Sequence, residues 1–386
     1  MENTIQTAAA ETAAAQTAAP AAKPEKVRDY AFDTIKAMLI FLVVFGHVLV
    51  SCKGAHPGLQ LLYECIYTFH VPLFVFVSGF FAKKSVNSRR EAVYGALTTF
   101  LLFALIFRVV QYIAFPAGRA ALLRSWHTPP FAYWYLLCLF YWRFLAKDVS
   151  RLKKFALPVL TLAGLAFGAV NMNCAIMSVG RAVAFFPFFW LGMVFSGNTV
   201  TAIRRIPKWL GAVIIAAVIG GYCWIRSILL ADPTLLTGII SNTTTGGITS
   251  MLQKSLQMSY SYAEMGFTSP LWGALVRLCM YAMAFLITVG FISFIPNKKT
   301  FLSQVGAGTL CIYVCHTYVV YMLMRKLGLM DGIFASLGAW GCLGVSLLIS
   351  LAMTALFSLP FIDKGFKALS AAVSKGVRSI FEKKEA

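Results

Sequence analysis

The feature that most constrains this chain is a succession of apolar runs, many about 20 residues long, separated by polar segments. A helical run of about 20 apolar residues matches the thickness of a bilayer. Only 12% of the residues are charged and 59% are hydrophobic, whereas a soluble globular chain carries about 25% charged residues. The pattern therefore predicts an all-α, polytopic helical membrane protein and excludes a soluble enzyme of this length.

About ten membrane spans around a polar cavity are predicted, and the basic residues orient them. With the N-terminus in the cytoplasm, 22 of the 34 lysines and arginines fall in cytoplasmic segments and seven in outer ones. Because cytoplasmic loops carry the excess of Lys and Arg, both termini are expected in the cytoplasm. The net charge of +20 is attributed to this topology, and no nucleic-acid partner is expected. The predicted spans are 32–52, 60–82, 92–116, 131–146, 154–172, 181–196, 208–230, 270–295, 305–324 and 333–360.

The chain divides into three predicted parts. Residues 1–29 are biased toward Ala, Thr, Gln and Pro and are expected to be a disordered N-terminal tail. Residues 30–362 form the expected transmembrane domain, and residues 363–386 form a basic amphipathic tail expected on the inner membrane face. The loop 231–269 is predicted on the outer side, where it either covers a binding site or serves as a flexible connector.

Lys36 and His47 lie within the first apolar run, "DTIKAMLIFLVVFGHV", where polar groups are costly. Eleven helical residues make three turns plus about 20°, so the two side chains share one face, about 16 Å apart along the axis. Asp33 precedes Lys36 by three residues and can pair with it. Taken alone, Lys36 could reach the inner head groups and His47 could be a packing histidine. Histidine also suits a general base near neutral pH.

Further polar residues interrupt the other apolar runs. Structural pairing explains any one of them, but an ionisable residue in a membrane span marks a functional site by default. As a set they predict a polar cavity, and the chemistry of that cavity does not follow from the pattern. No metal site is predicted, since the nine cysteines lack the spacing of a zinc site. The polar residues that interrupt these apolar runs are His70, Ser78, Arg108, Arg181, Arg277 and His316.

The first run resembles the hallmark of the acyltransferase-3 membrane proteins, particularly the group likened to fucose 4-O-acetylases. That hallmark is Arg or Lys, ten residues, then His, which here is Lys36 and His47. Further segments resemble family landmarks in the same order, within about residues 28–321. They are "FHVPLFVFVSGFFAKK", "YWYLLCLFYWR", "FFPFFWLGMVF" and "GAGTLCIYVCHTYVV". Lysine in place of the commoner arginine weakens any role that needs a bidentate guanidinium.

The resemblance implies an integral membrane O-acyltransferase that takes an acyl group, usually acetyl, from cytoplasmic acyl-CoA. The acceptor is typically a hydroxyl of a cell-surface or lipid-linked sugar. His47 is then expected to be the general base, and Lys36 to attract or orient the donor. Arg108 is expected to contact the donor or stabilise an oxyanion, and Ser78 to add a hydrogen bond. Acetyl-CoA is the expected donor substrate, and no permanently bound cofactor is expected.

The resemblance also implies partners and a location. Acyl-CoA, a carbohydrate acceptor, membrane lipid and glycan-assembly proteins are the expected partners, in the bacterial cytoplasmic membrane. The alternative is a transporter or flippase for a polar or lipid-linked glycan, because ten spans with buried charges also suit a carrier; a sensor or scaffold is a third reading. The sequence does not determine the acceptor sugar, the acyl group, an acyl-histidine intermediate or the oligomeric state. Further substrate or donor contacts are expected at Asp33, His70, Trp134, Arg181 and His316.

Overall fold

The computed structural model describes residues 28–83, 89–170, 176–326 and 328–382. The predicted N-terminal tail lies almost wholly outside the described residues and stays a prediction. The described residues form helices and connecting turns with two isolated bridges, which confirms the all-α fold. The α-helices of four or more residues are α1 (Tyr30–Leu49), α2 (Pro57–Tyr67), α3 (His70–Ala82), α4 (Thr98–Ala114), α5 (Arg119–Arg124), α6 (Trp134–Ser150), α7 (Ala156–Phe167), α8 (Val179–Val194), α9 (Gly197–Arg204), α10 (Lys208–Ala231), α11 (Thr245–Gln257), α12 (Tyr262–Met265), α13 (Pro270–Phe294), α14 (Phe301–Val305), α15 (Thr309–Tyr318), α16 (Leu329–Phe357) and α17 (Pro360–Glu382).

Eight continuous helical segments among the described residues are long and apolar enough to cross a membrane, which confirms a polytopic membrane protein. Some of them join neighbouring helices, as in Arg89–Ala114, which ends with α4, and Phe301–Met322, which contains α14 and α15. The other two predicted spans correspond to α6 and α7, which have 17 and 12 residues. Both are shorter than the ~20 residues that a typical span needs. The count of ten spans and the cytoplasmic placement of both termini therefore stay predictions.

Helix α1 lies in the interior of the bundle, and most of its residues are buried. Asp29 caps its N-terminus by accepting a hydrogen bond from the Phe32 amide. A glycine lets the segment before α15 approach α1, since a Cβ at Gly306 would lie 1.8 Å from the Asp33 carbonyl oxygen. Because protein surrounds α1, its polar side chains meet other protein groups and cavities more than lipid.

Helices α3 and α8 pack backbone against backbone through two glycines. A Cβ at Gly79 would lie 1.9 Å from the Phe189 carbonyl oxygen, and one at Gly192 would lie 2.0 Å from the Phe76 carbonyl oxygen. Small residues permit this close approach between membrane helices. The contact sets the separation of two helices that carry several of the predicted site residues.

Two segments outside the eight candidate membrane spans are also folded. In the loop 231–269, α11 and α12 enclose a small core that includes Ile248, Met251 and Tyr262. At the other end of the chain, the predicted amphipathic tail is part of α17, whose Phe366 stacks on Phe103 of α4 at 4.7 Å. The placement of α17 on the inner membrane face stays a prediction.

Candidate active site

A cavity of about 360 Å³ lies beside the C-terminal half of α1. Its volume falls in the range of pockets that hold small molecules, roughly 300–1,000 Å³. The predicted residues His47, His70, Trp134 and Arg181 all line it. Lys53 adds a second cation, and the described residues that line the cavity include no Asp or Glu. The cavity therefore favours polar or anionic occupants over cations.

His47 forms a hydrogen-bonded pair with His316, which belongs to α15. Nδ1 of His47 lies 2.9 Å from Nε2 of His316, and the two rings are nearly parallel, at 8°. His316 is fully buried, and its Nδ1 lies 3.1 Å from the Ile312 carbonyl oxygen. A carbonyl oxygen only accepts, so Nδ1 of His316 carries the hydrogen and, in the neutral ring, Nε2 is the acceptor.

This bonding determines the tautomer of His47. Because Nε2 of neutral His316 accepts, Nδ1 of His47 donates, and the lone pair of neutral His47 is on Nε2. When Nε2 takes a proton, Nδ1–H still donates to His316, so the bond orients the ring in both protonation states. His316 lies behind His47 and outside the cavity lining. Its position relative to His47 is similar to that of the orienting member of a hydrolase triad relative to its histidine, but without a negative charge.

His70 and Arg181 contribute to other walls of the cavity. Nδ1 of His70 lies 2.8 Å from the Ile66 carbonyl oxygen and must donate to it, which leaves Nε2 as an acceptor when the ring is neutral.

The Arg181 guanidinium lies over the Trp134 ring at 4.8 Å, a cation–π contact. No ion pair or hydrogen bond joins that guanidinium to another described residue. Its N–H groups are therefore available to an oxygen atom in the cavity.

A second cavity, of about 220 Å³, lies beside the N-terminal half of α1. Lys36 and Ser78 line it together with Arg143 of α6, which sequence reasoning missed. Nε of Arg143 is buried and has no hydrogen-bond partner in the part of the chain that the structure describes. Two cations therefore face any molecule that enters this cavity.

Asp33 holds the Lys36 side chain. Nζ of Lys36 lies 2.7 Å from Oδ1 of Asp33, the pairing that their spacing predicts. The other carboxylate oxygen accepts from Nε of Arg28 at 2.6 Å. Nζ of Lys36 also lies 4.7 Å from the centre of the Phe81 ring. One carboxylate between two cations leaves this group with a net positive charge while it fixes the position of Lys36.

Three aromatic side chains separate the two cavities, since Phe74, Tyr135 and Tyr313 line both. Oγ of Ser78 donates to the Phe74 carbonyl oxygen at 2.9 Å, so the Tyr135 hydroxyl donates to Ser78 Oγ. The Phe74 and Tyr135 rings meet edge to face at 5.3 Å. The lysine and the histidine of the first span therefore lie on opposite sides of this aromatic partition.

Arg108 lies apart from both cavities. Its guanidinium donates to the carbonyl oxygens of Leu122, Ser125 and Thr128, at 3.4, 2.8 and 2.5 Å. Further along this connection, Phe131 has a left-handed backbone (φ 43°), and its ring lies 5.1 Å from the His47 ring. Arg108 thus orders the connection that shapes one wall beside His47. Its predicted contact with the donor or an oxyanion stays a prediction.

Sequence reasoning also missed two cavity residues of the loop 231–269. Gln253 and Gln257 lie on α11 and line the cavity of His47. Glutamines are common in polar loops, so nothing in the sequence marks these two as cavity residues. Arg143 could have been found, because a charged residue inside an apolar run indicates a functional site. In the described part of the chain, no group of three or more His, Cys, Asp or Glu residues could hold a metal ion.

The model of the acyltransferase-3 family, described as an acyltransferase domain, matches residues 29–355. The chain belongs to the acyltransferase-3 family. The resemblance carried by the sequence motifs is thereby confirmed, and the chain holds an acyltransferase domain among helices long enough to span a membrane. Family membership favours acyl transfer over the transporter or flippase alternative.

Two curated relatives are similar to part of the chain. Nodulation protein NolL of Sinorhizobium fredii is 27% identical over 182 residues, which cover 44% of this chain and 49% of the relative. Nodulation protein NolL of Mesorhizobium japonicum is 23% identical over 181 residues, which cover 44% of this chain and 48% of the relative. The chain thus matches about half the length of these relatives. No solved structure matches the chain.

Proposed function

We propose that the protein is a membrane O-acyltransferase that moves a short acyl group, acetyl in the simplest case, from acyl-CoA to a sugar hydroxyl. The sugar belongs to a cell-surface or lipid-linked glycan, and His47 is the general base. The main support is the hydrogen-bonded pair of His47 and His316. The pair leaves the lone pair of neutral His47 on Nε2, and His47 lines a cavity, as a general base must. The family match supports the acyl-transfer chemistry.

The reaction needs a base because a sugar hydroxyl is a weak nucleophile. The hydroxyl donates to Nε2 of His47, and the proton passes to Nε2 as the oxygen bonds to the thioester carbonyl carbon. The tetrahedral intermediate then breaks its carbon–sulfur bond, and the departing CoA thiolate takes the proton from Nε2. The products are an acyl ester and CoA thiol, and His47 returns to its starting tautomer.

Arg181 is the residue best suited to the oxyanion of the tetrahedral intermediate. It lines the cavity of His47, and the Trp134 ring holds its guanidinium in place. A guanidinium keeps its charge and can offer N–H donors to a developing oxyanion. His70 has a different role, because its Nε2 is an acceptor and can accept from a hydroxyl of the sugar.

The cavity of Lys36 and Arg143 is the proposed donor site. CoA carries phosphate groups, and this cavity offers two cations on the side of the membrane predicted to face the cytoplasm. The thioester then reaches His47 past the partition of Phe74, Tyr135 and Tyr313. Rotation of these rings joins the two cavities, which allows donor and acceptor to approach from opposite sides.

The proposal is tested by transfer of a radiolabelled acetyl group in lipid nanodiscs. Membranes from a strain that lacks the gene supply unacylated glycan, and labelled acetyl-CoA is the donor. We expect the wild-type protein to place alkali-labile label in the glycan, and His47→Ala to place none above background. His127→Ala is the matched control, because His127 lines neither cavity. Transfer by His47→Ala at the wild-type rate would exclude the base role.

A further inference from the structure

The cavity of His47 has a second polar end that the proposed reaction does not use. Lys53, Gln253 and Gln257 line this end, together with Tyr63. Lys53 follows α1 by four residues, and the two glutamines come from α11 of the loop 231–269. This loop therefore contributes part of the cavity wall, in addition to its own small core.

The orientation of the Gln253 amide follows from its partner. The Lys53 ammonium can only donate, and it lies against the amide oxygens of Gln253 and Gln60. The oxygen of Gln253 therefore faces Lys53, which leaves the NH2 group and its two hydrogens on the other side. Gln60 shows the same arrangement, since its NH2 group donates to Oε1 of Glu64 at 2.7 Å.

Buried charges anchor this chain of hydrogen bonds. Glu64 is fully buried and accepts from Nε of Arg226 at 2.5 Å and from the Tyr222 hydroxyl at 3.0 Å. Burial lowers the pKa of Lys53 from its ordinary value, and the nearby Glu64 carboxylate opposes that decrease by favouring the ammonium. The anchor on α2 and α10 thus fixes Lys53, and Lys53 fixes the Gln253 amide.

Gln257 supplies the complementary group. Its Nε2 donates to the Tyr63 hydroxyl at 3.1 Å, so its amide oxygen remains as an acceptor. The Lys53 ammonium also makes a cation–π contact with the Tyr63 ring, at 4.5 Å from the ring centre. A donor NH2 group and an acceptor oxygen on neighbouring turns of one helix match sugar hydroxyls, each of which both donates and accepts.

We propose that Gln253 and Gln257 form a subsite that binds hydroxyls of the acceptor sugar other than the one that is acylated. This inference rests on the proposed function, because it assigns the cavity of His47 to a sugar. The subsite selects acceptors that carry further hydroxyls and leaves the chemistry at His47 unchanged. A simple alcohol has no second hydroxyl and gains nothing from the subsite.

The decisive variant is Gln253→Glu. It keeps a carboxylate oxygen against the Lys53 ammonium, so the contact between α11 and Lys53 is retained, but it removes both N–H donors. Gln257→Leu removes the other amide. Ser250→Leu is the matched control, because it introduces leucine at an exposed position of the same helix. Binding is measured calorimetrically without donor, using methyl fucoside, galactoside, glucoside and N-acetylglucosaminide, and transfer from acetyl-CoA is measured for the same glycosides and for 1-butanol.

We expect the wild-type protein and Ser250→Leu to bind at least one glycoside, and both glutamine variants to bind it about two- to tenfold more weakly, as one lost hydrogen bond predicts. Transfer to 1-butanol should be unchanged in Ser250→Leu, and in the two glutamine variants it should fall less than transfer to the glycoside does. Unchanged glycoside affinity in Gln253→Glu, equal weakening in Ser250→Leu, or no glycoside binding by the wild type would overturn the subsite. If the wild type binds the glycoside as expected but transfers no acyl group, the proposed function fails and the subsite stands.

Discussion

Replacement of His316 tests whether His47 is oriented by its neighbour. His316→Leu removes the acceptor of the His47 Nδ1–H bond, which measures 2.9 Å between the two nitrogens. A hydrogen bond to a group that becomes charged is worth about 1.5–3 kcal/mol, and each 1.36 kcal/mol is about tenfold in rate. We therefore expect kcat to fall by about 10- to 150-fold. The KM values for donor and acceptor should change little, because His316 lies outside the cavity lining.

A second substitution separates orientation from simple packing. In His316→Gln the amide oxygen can lie near the position of the ring Nε2 and accept from His47. This variant should therefore recover a large part of the activity that His316→Leu loses. Both variants should fold, because each replaces a fully buried ring by a side chain of comparable length.

The assay is transfer of labelled acetyl groups to glycan in nanodiscs, with kcat and KM determined for each variant. Thermal unfolding of the same samples checks that the protein is folded. A folded His316→Leu variant that keeps kcat within about threefold of wild type would refute the orienting role. Equal losses in the leucine and glutamine variants would show that the acceptor of the hydrogen bond is not the feature that matters.

Four other sites have contacts that predict distinct effects. Lys36→Arg should retain more transfer activity than Lys36→Ala, whose KM for acetyl-CoA should rise; equal loss in steady-state kinetics would count against a charge-based role. Arg181→Gln should lower kcat by about 100-fold, as loss of an oxyanion donor does, and an unchanged kcat would remove it from the reaction. Arg108→Ala should lower the free energy of unfolding by about 2 kcal/mol or more, because three carbonyl oxygens lose their donor. Its KM for acetyl-CoA should be unchanged. A raised KM with an unchanged free energy of unfolding would instead support the predicted contact of Arg108 with the donor. Gly192→Ala should abolish the yield of folded protein, because its Cβ would lie 2.0 Å from a carbonyl oxygen. Gly197→Ala is the control and should keep the yield, because its Cβ would have nothing within 4 Å. Equal yields of the two variants in size-exclusion chromatography would contradict the α3–α8 packing.

The fold class could be predicted from the sequence because lipid imposes one simple rule on composition. Long apolar runs with few charges must form helices that satisfy their own backbone, and eight helical segments of this kind are present among the described residues. The rule is weaker for short runs, so α6 and α7, with 17 and 12 residues, leave the span count open. Neither helix could be distinguished from a full span by hydropathy alone.

The helical repeat could place Lys36 and His47 on one face of the first span, because that relation is local. The partners of these residues are not local. His47 meets His316, 269 positions further along the chain, and a single sequence carries no record of that contact. His316 was predicted, from its place in an apolar run, to contact substrate or donor. The structure places it behind His47, and the substrate or donor contact stays a prediction. The same limit applies to Arg108, whose carbonyl partners depend on how the following connection folds.

The loop 231–269 shows a third kind of limit. Its composition was compatible with either a cover over a binding site or a flexible connector. The structure gives it a helix, α11, that brings Gln253 and Gln257 to the cavity of His47. These glutamines acquire a specific orientation only through Lys53 and the Tyr63 hydroxyl, which lie far away in the sequence. Side-chain chemistry of this kind depends on tertiary contacts and has no local signal.

Glycan analysis in cells tests whether acylation of the glycan requires His47. Glycans are extracted from strains that carry the wild-type gene, a deletion, or His47→Ala at equal protein level, and ester-linked acetyl groups are quantified by mass spectrometry before and after mild alkali. We expect one ester-linked acetyl group that is present in the wild type and absent from both altered strains. Full acetylation in the His47→Ala strain, with normal amounts of protein in the membrane, would contradict this expectation.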